Sequence, residues 1–314
     1  MRAIMIQKFN DFNVYSIDRE NIFVHINLSD STFYKGFARY FLDESRLLRY
    51  AENKTNLKFT PERRNYVTLY KHLSYYIDSY NQERLPEEIE EEVLRILADE
   101  YQLSDSGDGK LQVRLDKIGK LGEYIFCNLL SEYFGFNCII PKVHLTTDFN
   151  MSVFGIDALF YSSENDMILF GESKLSKSLQ NGIGLINKSL KTYEQQIKDE
   201  FVLILSNRFL KNHMGIFGDK YANEIELSLN MEEFIMAANV KRIGIPLFIA
   251  HGADTNVEKI LEQLKSVKQS TFLGLETQYI IISLPIVDKS KLVGIFTQEI
   301  AERRAFYERT AAIQ

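Results

Sequence analysis

From residue 135 onward, apolar runs of strand length alternate with stretches whose apolar positions recur every three or four residues. That alternation predicts strands and helices in turn around a mostly buried sheet, an α/β fold. Strands are expected at 136–140, 153–161, 167–174, 201–206, 243–250 and 278–285. Helices are expected at 118–134, 176–197, 224–238, 256–267 and from 290. The polar run 162–166 between two strands reads as a hairpin turn. Leu121, Ile125 and Leu129 share a face of the first helix, and Gly135 is its natural stop. Over 176–197, Leu179, Ile183, Ile186, Leu190, Tyr193 and Ile197 form one apolar stripe. Lys177, Asn181, Gly184, Lys188, Lys191 and Gln195 step the same way on the opposite side.

The first hundred residues are patterned differently. Short strands are expected at 12–17 and 22–26, a helix at 33–50, and another through Tyr66, Tyr70, Tyr75, Tyr76 and Tyr80. Pro86 then opens an acid-rich helix, as first-turn proline and the helix dipole favour. The Ser/Gly/Asp run at 104–109 reads as a linker. The expected division is therefore a mixed α+β region with an acidic helix, 1–105, and a larger domain, 106–314.

Composition narrows the class. With 314 residues, 45% of them apolar and 25% charged, the chain has ample material for a folded core. Its two cysteines, Cys127 and Cys138, fit neither a disulfide framework nor a CxxC metal motif, and the expected setting is reducing. The first residues lack the hydrophobic region of a secretory signal, and no apolar run is long enough for a membrane helix. A cytoplasmic protein without membrane association is the expectation.

Charge is uneven. Residues 81–100 hold eight acidic and two basic residues, so this segment alone equals the chain's net charge of -6. Residues 173–198 hold five lysines and one glutamate. A nucleic acid would meet the second segment, not the first. Either charged face also reads as an ordinary solvated helix surface.

Chemistry concentrates in FGIDALFYSSENDMILFGESKLSKSL, residues 154–179. Asp157 falls in one strand of the hairpin. Glu172 and Lys174, two apart in the next, project from one face. Strands this apolar carry charge inward only at a cost, unless it is paired or bound to metal. Pairing near the turn would bring Asp157 and Glu172 together as oxygen ligands for Mg²⁺ or Mn²⁺, with the Ser173 carbonyl as a third. Such a cation would polarise a scissile phosphate and help deprotonate water, while Lys174 orients that water or offsets phosphoryl charge. Glu123, mid-helix, either reaches the same metal or faces solvent beside Lys120. Lys177, Lys188, Lys191 and Gln195 would contact DNA. The competing reading is an edge hairpin whose charges face water. No HExxH, P-loop, EF-hand or GxGxxG is present, and His25, His72, His144, His213 and His251 lack zinc spacing.

The ExK core is shared across the restriction-endonuclease-like PD-(D/E)xK superfamily. GKLGE at 119–123, FGIDALFY at 154–161, GESK at 171–174 and the lysine-rich helix ending in KTYEQQI together resemble the HamA family, nuclease subunits of the Hachiman antiphage defence system. The resemblance implies a restriction-endonuclease-like mixed sheet flanked by helices. It implies acids at Glu123, Asp157 and Glu172, a lysine at Lys174, and a Mg²⁺-dependent DNA endonuclease held by a superfamily 2 helicase partner, HamB. Ser173 stands where the family commonly has a small residue such as alanine, and Ile156 where the superfamily name has proline. Two other readings stay open: a stand-alone restriction or repair nuclease, and a non-catalytic scaffold that binds a partner.

Overall fold

The computed structural model describes residues 4–17, 20–28, 30–48, 66–70, 115–141, 158–162, 164–206, 228, 230–252 and 256–311. Their order is β1 (Met5–Phe9), β2 (Phe12–Ile17), β3 (Ile22–Ile26), α1 (Tyr34–Phe41), α2 (Leu115–Glu132), β4 (Asn137–Pro141), β5 (Ala158–Ser162) and β6 (Met167–Leu175). There follow α3 (Leu179–Ser189), α4 (Tyr193–Ser206), α5 (Met231–Ala237), β7 (Arg242–His251), α6 (Val257–Leu264), β8 (Glu276–Pro285) and α7 (Lys289–Ala311).

All eight described strands join one mixed sheet in the order β1-β2-β3-β8-β7-β6-β5-β4. The central strands β3, β8, β7 and β6 run parallel, and antiparallel hairpins extend both sides. Helices cover both faces, which is why β7 and β8 are apolar almost without interruption. One core packs α1, α2 and α7 against residues such as Val24, Leu169, Phe248 and Ile282. The other packs α3, α4, α5 and α6 against Phe23, Phe170, Leu247 and Ile281. Successive strand residues alternate between these layers.

The expected mixed α/β sheet is the fold observed. Its N-terminal strands extend that sheet: β3 pairs in parallel with β8 through Ile22–Ile280 to His25–Ser283. The linker at 104–109, the boundary drawn there and the acid-rich helix lie outside the described residues. Gly135, at φ +69°, follows the end of α2, and Phe136 N–H donates to Leu130 O at 3.0 Å, a left-handed helix stop.

Several elements differ from expectation, among them the helix expected over 33–50, which is interrupted at 42–43 after α1. The run 201–206 is helical, the end of α4, and not a strand. A short apolar run has no periodicity of its own to decide the matter, and here it continues a helix begun at Tyr193. The helix expected over 176–197 divides at residues 190–192 into α3 and α4, although its six stripe residues are all buried as read. Strand β1 was not anticipated; four of its five residues are exposed, so no alternation marks it. Among the described residues, no helix is long and apolar enough to cross a membrane.

Candidate functional site

The buried strand β6 comes to the surface at Ser173–Leu175. Glu172 is the last buried residue before that emergence, only 3% exposed. Its face follows from the alternation: Ile168 and Phe170 lie in the second core, so Glu172 and Lys174 point to the layer of α3 and α4. Lys174 Nζ donates to Glu172 Oε1, forming an ion pair in which the lysine side chain is 30% exposed. Ser189, the last residue of α3, donates its hydroxyl to the same oxygen at 2.8 Å. The carboxylate therefore sits in the core with its partners towards water.

Several contacts hold this end of the sheet. Ser176 N–H donates to Ala250 O at 2.8 Å and Gly252 N–H to Lys177 O at 3.1 Å, so the chain leaving β6 stays beside β7. Ser178 caps α3 by accepting from Asn181 N–H. Lys289, at the start of α7, donates to Ser176 O. Burial, and secondarily the charge of Lys177, lower its pKa to about 8. On the same layer, the C-terminal ends of β3, β8 and β7 carry His25, Ser283 and His251, all buried. Ser283 Oγ lies 3.1 Å from His25 Nδ1 and 2.7 Å from His251 Nε2, while His251 Nδ1 lies 2.7 Å from Gly252 O. Sequence spacing did not reveal this chain of hydrogen bonds, because its members come from three separate strands. Each sits in a polar break near the end of an apolar strand, which is the only signal the sequence holds.

The remaining predicted site residues divide. Asp157 lies outside the described residues; the β5–β6 ladder is described as far as Ala158 opposite Gly171. Glu123 is half-buried on α2, whose apolar face joins the first core. Its helix thus packs on the layer opposite the one that Glu172 and Lys174 face. Lys177, Lys188, Lys191 and Gln195 are all exposed, as the helical stepping implied. Gln195 donates to Asp199 at 2.8 Å along α4. Among the described residues, no three His, Cys, Asp or Glu side chains cluster as a metal site. The Glu172 carboxylate and the Ser173 carbonyl are oxygen donors of the kind that hard divalent cations take.

Fold and site define an α/β protein with a mixed sheet and a carboxylate–ammonium pair at the carboxyl end of its parallel strands. A sequence model of the HamA family matches residues 41–300. The chain belongs to the HamA family of the Hachiman antiphage defence system. It is 25% identical over 155 residues to the Hachiman protein HamA of Bacillus cereus, covering 49% of this chain and 52% of that protein. That alignment thus spans about half the length of the relative.

Proposed function

We propose that this chain is a metal-dependent deoxyribonuclease and the effector of an antiphage defence system, cutting DNA at the Glu172–Lys174 end of β6. One observation carries the reading: a carboxylate 3% exposed sits on a strand that surfaces at the next residue, with an ammonium on its rim. A group so costly to bury is characteristic of a site where cation or substrate binding repays it.

Asp157 immediately precedes β5 in the sequence. We place the second carboxylate of the site there, with the Ser173 carbonyl as a further oxygen donor. Glu123 enters this proposal only as a group reaching past the strand ends, because α2 packs on the other layer. This all-oxygen set suits Mg²⁺ or Mn²⁺. A bound divalent cation would supply Lewis-acid polarisation of the scissile phosphate and ease ionisation of the attacking water. Lys174 offsets the charge growing on the phosphoryl oxygens and orients the water. The exposed lysines 177, 188 and 191, on the chain that follows β6, bind flanking phosphates without reading sequence. A nuclease of this kind requires restraint in its host, and membership of the HamA family supports a superfamily 2 helicase as the partner that provides it.

The test is conversion of supercoiled plasmid to nicked and linear forms by the purified protein. Cleavage is expected in Mg²⁺ or Mn²⁺ and is expected to cease in EDTA and in Glu172→Ala, with circular dichroism unchanged. Undiminished cutting in EDTA, or by Glu172→Ala, rejects the mechanism.

A further inference from the structure

Ser189 has a geometry that ordinary helix packing does not demand. It ends α3, and its carbonyl accepts from Thr192 N–H at 3.2 Å to close the turn into α4. Its neighbours on the apolar stripe, Ile186 and Leu190, are buried in the second core, so the helix end cannot swing away from the sheet. Tyr193 then donates its hydroxyl to Phe170 O at 2.9 Å, fastening the start of α4 to β6 two residues before Glu172. Between these anchors the Ser189 hydroxyl points at the sheet and donates to Glu172 Oε1.

We propose that Ser189 is a positioning residue of the cation site: its hydroxyl holds Oε1 of Glu172 and so presents Oε2 to a divalent cation. The inference rests on the reading of Glu172 as a metal ligand. A glutamate has three side-chain torsions, and freezing them before the cation arrives lowers the cost of binding. Lys174 donates to the same oxygen but cannot serve this purpose throughout a turnover. Its charge is attracted to the phosphate as soon as DNA enters, which weakens its hold on Glu172. The serine is neutral and fixed by two packed helices, so an incoming phosphate exerts no net-charge attraction that would draw it from Glu172. Being a neutral hydroxyl, it adds no charge to the site.

Calorimetric titration of the full chain with MnCl₂, without DNA, tests the proposal in wild type, Ser189→Ala, Ser189→Thr and Glu172→Gln. Losing a partner that orients a ligand typically weakens metal affinity about 10-fold or more. Ser189→Ala should show that loss with an unchanged melting temperature, and Ser189→Thr, which keeps a hydroxyl, should recover the wild-type affinity. Wild-type affinity in Ser189→Ala, with binding abolished in Glu172→Gln, overturns the role of Ser189 and leaves the nuclease reading standing. Equal losses in the Ala and Thr variants, accompanied by a lower melting temperature, also overturn it, since they report packing alone. Absence of any Mn²⁺ binding that depends on Glu172 overturns the cation reading itself, and this proposal with it.

Discussion

At the scale of single residues, the site is a contest between burial and charge. Glu172 is tolerated in the core because Lys174 and Ser189 satisfy one oxygen. Lys289 is the converse case, a lysine whose ammonium has lost much of its hydration and whose pKa falls to about 8 from the ordinary 10.5. Because the folded pKa is depressed, the unfolded state holds the proton more tightly between pH 8 and 10.5. The cost of the buried charge is therefore fully present below pH 8 and is relieved as pH rises through that interval. Urea denaturation of wild type and Lys289→Met at several pH values isolates this effect, since other titrations cancel in the difference. The stability of wild type relative to the variant should rise from pH 8 to pH 10. A flat or falling difference would show that Lys289 keeps its hydration in the folded protein.

At the scale of elements, α3 is placed by a close approach to the sheet. A Cβ at Gly182 would lie 2.3 Å from Ile249 Cγ2 and 2.7 Å from Ser176 Oγ, so only glycine lets the helix settle there. Helix propensity alone favours Gly182→Ala by about 1 kcal/mol. The clash outweighs this, and overpacking of such a contact costs about 1–3 kcal/mol. Urea denaturation should therefore show a less stable variant; an equal or more stable one would mean that α3 does not sit this close. The same element shows what could be read from sequence. The stripe Leu179 to Ile197 and the exposed lysines followed from periodicity, and the Glu172–Lys174 pair from a strand too apolar to carry charge idly. The helix break at 190–192 and the helical 201–206 did not, because an apolar run such as FVLILS fits both structures. Ser189 was illegible for a different reason: its role depends on how α3 crosses β6, which no local pattern encodes. The opposite-layer position of Glu123 likewise needed the sheet, since spacing gives a helix face but not the side on which the helix packs.

At the scale of the whole molecule, one sheet links residues far apart in sequence. Strand β3 borders β8, and the first core takes residues from Phe12 to Ile300. Charge is divided unevenly: the chain is net -6, yet the 173–198 segment, which begins right after Glu172, carries five lysines against one glutamate. Steering of a polyanion follows this local distribution, not the total. The central claim is that a divalent cation held at Glu172 acts directly on a DNA phosphate. It is tested most directly by cleavage of a duplex carrying a single phosphorothioate with sulfur in place of a non-bridging oxygen. Sulfur binds Mg²⁺ poorly and softer cations better. Where sulfur occupies the coordinated position, cleavage at that linkage should slow markedly in Mg²⁺ and recover in Mn²⁺, and Glu172→Ala should be inactive with both cations. Cleavage of both phosphorothioate diastereomers at the unmodified rate in Mg²⁺, or activity that survives in Glu172→Ala, would contradict the account.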